Sequence, residues 1–408
     1  MRATGFLRAN APFLAAGALM TFMSSFGQTF FISIFAGEIR AEFGLSHGEW
    51  GGIYMIGTSV SAVVMIWAGV LTDHFRVRVL GPVILLGLAC ACLIMATNQW
   101  AWALAGVIFL LRFFGQGMST HIAVVAMARW FVATRGRALS VANLGFSFGE
   151  ALLPLIFVAA MAAIDWRILW VIAAALSLLG IPILAWLLGK ERTPGQFIES
   201  ASSLGMESRH WTRGQALRHP LFWAMVPSIL GMSAFGTAFF FHQVHYAALK
   251  GMSHVQLVAF FPLFTGMSIG SMILSGWALD RLGTARLIPF YLFPAAIGFL
   301  FFALTGGTFG LFAGLFFFAL SAGANATLPN AFWAEFYGTA HIGAIKALAA
   351  AVMVLGSAIG PGLTGVLIDI GIDLGPQYVG VSLYFVVTTL ILYLGVKRAA
   401  QSLPQGTP

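Results

Sequence analysis

Long apolar runs alternate along the chain with short polar breaks. Runs of mostly uncharged residues lie near 11–35, 49–72, 79–97, 101–128, 138–163 and 168–189. A second set lies near 221–248, 256–279, 287–305, 309–333, 344–368 and 378–396. About 20 apolar residues, at about 1.5 Å of rise each, cross a hydrocarbon core of about 30 Å, so each run predicts one spanning helix. Twelve such helices predict an all-α integral membrane fold. Between the sets runs the longest polar stretch, Lys190 to Pro220, which carries Lys190, Glu191, Arg192, Arg209, Arg213 and Arg218. The expected organisation is an N-terminal six-helix bundle over 1–189, a linker over 190–220 and a C-terminal six-helix bundle over 221–408. The first apolar run is too long for a signal-peptide core and lacks a clear cleavage site, so it reads as the first span.

Composition sharpens this picture. Of 408 residues, 60% are hydrophobic and 8% charged, whereas a water-covered domain carries about 25% charged residues. The net charge of +8 is explained by where the basic residues fall. Twelve spans put both termini on one side. That side collects Arg2, Arg8, Arg76, Arg78, Arg129, Arg135, Arg137, the linker basics, Arg281, Arg286, Lys346, Lys397 and Arg398. The other side holds Arg40, Arg167 and Lys250. Positive residues resist translocation, so the crowded side reads as the cytoplasm of a bacterial inner membrane. No nucleic-acid partner is needed to explain the charge. Cys90 and Cys92 read as small packing residues, neither disulfide nor metal site.

The two sets of spans echo each other. Gly69-Val-Leu-Thr-Asp73-His74-Phe-Arg76-Val-Arg78 follows the second span, and Gly276-Trp-Ala-Leu-Asp280-Arg281-Leu-Gly283-Thr-Ala-Arg286 follows the eighth. The aspartates are 207 residues apart (280 − 73). Gly145-Phe-Ser-Phe-Gly149-Glu150 in the fifth span is matched by Gly356-Ser-Ala-Ile-Gly360-Pro361 in the eleventh, 211 residues on (356 − 145). Two features with nearly one offset point to a duplicated unit, a known transporter construction. The fourth span adds Arg112-x-x-Gly115-x-Gly117.

With these motifs in place, the sequence resembles the major facilitator superfamily over nearly its whole length. The first aspartate loop departs from the family pattern, with His74 for a basic residue and Arg76 for a glycine. The stretch Glu335-Phe-Tyr-Gly338-Thr-Ala-His341-Ile-Gly343-Ala-Ile-Lys346 is similar to the matching loop of the oxalate/formate-type and monocarboxylate-type branches. The resemblance implies a monomeric secondary transporter that moves a small solute by alternating access. It also implies a gating clasp formed by Asp73, Arg78, Asp280 and Arg281; the plainer alternative is a static interfacial ion pair.

Two charges fall inside the spans. Arg112 lies about 11 residues into the fourth span, and Glu150 lies at a similar depth in the antiparallel fifth. A charge at the bilayer centre costs at least about 2.5–3.5 kcal/mol, so the two are expected to face each other or a wet cavity. One reading is a buried structural pair. The other is a coupling site, in which a desolvated Glu150 takes up a proton and frees Arg112 to hold an anion. Gln28 and Gln116 join the candidate site on depth and polarity, with His242 and Asn325 from the second half. An interfacial role is the plainer reading for His242, and snorkelling for Lys346. The expected cargo is a small organic anion carried with a proton, and the partners are that solute, protons and the lipid bilayer. Alternatives are a neutral aromatic solute or vitamin such as riboflavin, drug or metabolite efflux, and copper import, although no Met-x-x-x-Met motif is present. A membrane-embedded enzyme is disfavoured, since no metalloprotease motif, phosphate loop or catalytic carboxylate pair occurs, and no cofactor is implied.

Overall fold

In the computed structural model the described residues are 3–131, 134–189 and 204–403, and they form helices and turns with no strand among them. The membrane-length helices are α1 (Asn10–Gly27) with α2 (Thr29–Phe43), α3 (His47–Ala68), α4 (Val77–Thr97), α5 (Ala101–Trp130), α6 (Gly136–Met161) and α7 (Trp166–Leu187). They continue as α8 (Pro220–Phe241), α9 (His254–Leu282), α10 (Thr284–Leu304), α11 (Gly307–Tyr337), α12 (Ile342–Asp369) and α13 (Leu374–Ser402). Eleven of these are long and apolar enough to cross a membrane singly, and α1 with α2 makes a twelfth if the bent pair counts as one span. Large apolar side chains face outward, among them Ile66, Trp102, Trp186 and Leu304. Such a surface suits lipid and no other solvent.

Residue contacts divide the chain into two units. The first is Met1–Glu199 with Phe240–His245, and the second is Ser200–Phe239 with Tyr246–Pro408. Of the stretch expected as a linker, residues 190–203 lie outside the described residues. The remainder is folded in the second unit. The Trp211 amide donates to the Tyr337 carbonyl at 3.0 Å, and its indole N–H donates to Met206 O at 3.1 Å. The His219 ring sits edge-on to Trp211 at 4.9 Å. Burial there pushes the His219 imidazole below its usual range; the Glu207 carboxylate opposes the shift and the Arg209 guanidinium adds to it.

The duplication read from sequence reappears as duplicated contacts inside each unit. In the first, Gly145 and Gly149 of α6 lie flush against α1, where a Cβ would overlap the Ala18 carbonyl or the Ser25 hydroxyl. In the second, Gly356 and Gly360 of α12 lie flush against the Leu230 and Ala234 carbonyls of α8. Beside each pair one hydroxyl crosses between the helices. Thr21 Oγ1 donates to Ala142 O and Ser233 Oγ to Met353 O, each at 2.5 Å. The donors are 212 residues apart (233 − 21) and the acceptors 211 (353 − 142). Without a side chain at these positions the backbones close to within carbonyl contact, the geometry that packs helices where the hydrophobic effect cannot.

A Cβ at Gly145 has no room without moving α1, whereas at Gly106 it meets nothing within 4 Å. Gly145→Ala should therefore lower the thermal midpoint of the purified protein, by the equivalent of about 1–3 kcal/mol of overpacking, and Gly106→Ala should not. Equal midpoints for the two variants would refute the close-packed seam.

Candidate functional site

The candidate site grows from a defect in the first span. The run expected as one continuous helix over 11–35 is two helices meeting at a 46° bend. Local chemistry accounts for it. Ser24 Oγ bonds back to Thr21 O at 2.6 Å, the kind of side-chain competition that loosens a helix. Residues Ser24–Gly27 tighten into a 3₁₀ turn, and Gln28 is extended at φ −86°, ψ 153°. Its carbonyl then restarts the helix by accepting from the amides of Phe31 at 3.1 Å and Ile32 at 3.0 Å.

A break of this kind strands carbonyl groups in a medium with no water to satisfy them. Arg112 meets that need. Its Nη1 donates to Gly27 O at 3.2 Å and to Thr29 Oγ1 at 3.4 Å, so one guanidinium bonds on both sides of the bend. The guanidinium lies over the Tyr54 ring at 5.4 Å, and the Tyr54 hydroxyl is 2.5 Å from Thr29 Oγ1. Arg112 is only 1% exposed, and its Nε is buried with no hydrogen-bond partner. The residue opens a π-helical stretch, Arg112–Ser119, inside α5. Such turns recur at functional sites because they shift side chains off the regular helical register. Gly115 in that stretch abuts Gly27 so closely that a Cβ on either would collide with the other's backbone.

The structure gathers part of the expected site around this bend. Gln28 stands at the bend and is buried. Gln116 follows Gly115 at the contact with Gly27. Glu150 follows Gly149, which packs on Ser25 of the break. The contacts of Arg112 run to Gly27, Thr29 and the Tyr54 ring and not to Glu150, because the broken helix presents a carbonyl and a hydroxyl within its reach. His242 is 3% exposed and lies in residues 240–245, its ring 5.0 Å from that of Phe241, which in turn is 4.7 Å from Tyr54. Asn325 belongs to α11 of the second unit.

Two of the expected gating residues, Arg78 and Arg281, have local partners. Arg78 Nη1 reaches Gly189 O at 3.4 Å, past the end of α7. Arg281 lies over the Trp277 ring at 4.3 Å on its own helix, and Asp280 is exposed. The side chain of Asp73 lies outside the described residues; the carbonyl of Thr72 before it accepts from Arg129. Sequence reasoning missed Thr29 and Tyr54. A hydroxyl beside a mid-span Gly27-Gln28 pair, and a phenol on the helix face that also carries Thr58 and Ser61, were the available signals.

The Major Facilitator Superfamily family model matches residues 17–361. Solved structures with a similar fold include a bacterial homologue of the human lysosomal transporter Spinster in its inward-facing, unoccupied conformation. It has a TM-score of 0.73 and 15% identity over 98% of this chain and 99% of that one. The occupied conformation of that homologue scores 0.69 at 15% identity, covering 96% of each chain. A variant of the nucleoside transporter NupG scores 0.67 at 13% identity, covering 95% of this chain and 99% of that one. No curated protein sequence matches the chain. At these identities the structural likeness speaks for the fold.

If Arg112 holds the bend, Arg112→Met should loosen it locally. Amide hydrogen exchange over residues 28–32 is expected to quicken about tenfold, the effect of losing one buried bond worth about 1.4 kcal/mol, while Arg167→Met leaves it alone. Unchanged protection at 28–32 would show that the guanidinium contributes nothing to the break.

Proposed function

The chain belongs to the major facilitator superfamily of membrane transporters, and we propose that it carries a small organic anion together with a proton by alternating access. The observation that carries this reading is Arg112. It is a buried cation beside a broken span, and its Nε is left without an acceptor. A carboxylate that reaches this guanidinium supplies that acceptor in a bidentate geometry that suits planar anions. Helix breaks at mid-span are where transporters of other folds hold their cargo, because irregular backbone is tolerated there only if something satisfies it.

Gln28 and Gln116 would line the same place and orient the solute through amide hydrogen bonds, with His242 of the same unit as a further contact. Glu150 is the proposed proton carrier: a carboxylate within a span gains by protonation when its surroundings dry. In this reading the proton does not act by releasing Arg112 from Glu150, since the arginine is committed to Gly27 and Thr29. It changes the charge of the site next to the solute instead. Asp73, Arg78, Asp280 and Arg281 are the proposed clasp of the conformational cycle. We place the protein as a monomer in a bacterial cytoplasmic membrane with both termini inside, on the strength of the asymmetric basic loops.

A ligand that binds the folded state raises its melting temperature by mass action. A screen of monocarboxylates, flavins, aromatic drugs and copper should find stabilisation by a carboxylate, weakened at least tenfold in apparent affinity by Arg112→Lys. Uptake of that carboxylate into proteoliposomes should follow an imposed pH gradient and lose that dependence in Glu150→Gln. Stabilisation by a flavin or copper that ignores Arg112 would overturn the anion site.

A further inference from the structure

One face of the second unit carries a groove between α8 and α13. The two helices run antiparallel and in close contact. Gly395 of α13 lies against Leu221 and Ala224 near the start of α8, and the Tyr384 ring lies against Gly231 further along it. The Tyr384 hydroxyl donates to Pro227 O at 2.8 Å. Beside these contacts the helix surfaces leave a cavity of about 460 Å³, walled by Val226, Pro227 and Leu230 on α8 and by Leu383, Val387 and Ile391 on α13. Leu383 is 63% exposed, so the groove opens outward and not into the helix packing.

Its length fits a lipid chain. On α13 the groove runs from Gly380 to Ile391, about 16 Å at the helical rise, close to half of a hydrocarbon core of about 30 Å. In a bilayer no water is at hand to fill such a space, and left empty its walls forfeit dispersion contacts. An acyl chain of one leaflet has the shape and the chemistry to occupy it.

The stripe that walls the groove leads on to positive charge. Leu383, Val387 and Ile391 recur at four-residue spacing, and Arg398 lies seven residues past Ile391 on the same helix face, about 10 Å further along the axis. Lys397 stands next to it, its Nζ 5.9 Å over the Tyr393 ring, and both cations are exposed. At the start of α8, Arg218 and Trp223 are exposed too, and the Trp223 indole donates to Leu217 O at 2.8 Å. Aromatic and basic residues at one level mark the depth of the lipid headgroups. Neither α8 nor α13 contains an Asp or Glu. The carboxylate on the turn Met206–Ser208, which packs near Ala400–Ser402, is that of Glu207, and it is paired with Arg209 at 2.7 Å.

We propose that this groove binds an anionic phospholipid, with one acyl chain between α8 and α13 and the headgroup held by Lys397 and Arg398. A headgroup of net negative charge gains from both cations. A zwitterionic headgroup brings a cation of its own, which the pair repels. The site lies in the second unit, is separate from Arg112 and Glu150, and does not depend on the anion-transport reading.

Native mass spectrometry of the full-length protein in detergent, titrated with equal amounts of dioleoylphosphatidylglycerol and dioleoylphosphatidylcholine, tests this. The first lipid retained should be phosphatidylglycerol, by a preference of about tenfold. Lys397→Gln combined with Arg398→Gln should bring the two lipids to parity, and Arg137→Gln in the first unit should keep the preference. A Cβ at Gly380 meets nothing within 4 Å, so Gly380→Phe should fill the groove, leave the thermal midpoint alone and weaken retention of both lipids severalfold. Glycerol phosphate, which has the charge without the chain, should not compete. Equal retention of the two lipids, an undiminished preference in the double variant, full retention in Gly380→Phe, or competition by glycerol phosphate would each overturn the proposal.

Discussion

Inside a hydrocarbon slab a backbone carbonyl released from its helix has no water to turn to, and the first unit is arranged around one such carbonyl. The bend between α1 and α2 frees Gly27 O, and the Arg112 guanidinium spans from it to Thr29. The cost of carrying a charge to this depth and the cost of breaking a helix there offset each other: each feature supplies what the other lacks. The glycine contact between residues 27 and 115 is what lets the two backbones come close enough for that exchange. Tyr54 completes the arrangement, with its ring under the cation and its hydroxyl on Thr29.

The duplicated seams show how little side-chain identity a transporter of this kind needs at its packing surfaces. Thr21 and Ser233 differ by a methyl group, yet each sends its hydroxyl to the carbonyl three residues before a flush glycine. What the duplication keeps is the absence of a Cβ and the presence of one hydroxyl. Function then enters where the copies diverge. The position matching Arg112 at the repeat offset of 211 is Gly323, which packs flush against the Ser268 carbonyl of α9. One copy became a charged site and its counterpart stayed a plain helix contact.

Several single residues carried much of the legible information. Gly145, Gly149, Gly356 and Gly360 were readable as packing glycines from spacing alone, because four-residue spacing puts them on one helix face. Arg112 was readable as special because a charge mid-span is costly. Its partner was not readable. Depth arguments pointed to Glu150 on an antiparallel neighbour, but depth is one coordinate, and the direction of a side chain around its helix depends on a π-helical stretch that sequence does not announce. The contact of the His47 ring with that of His245 follows from no local pattern; it depends on residues 240–245 packing in the first unit.

The sequence by itself determined the solvent, the number of apolar runs and the repeat. Each follows from composition and periodicity, which lipid reads one residue at a time. Tertiary structure alone decided that the first run is bent, that Arg112 serves the bend and not Glu150, and that the rings of His47 and His245, from distant segments, meet. These outcomes rest on which unsatisfied group lies within bonding distance of which donor. Distance in space between residues far apart in the chain is the quantity that a linear pattern does not contain.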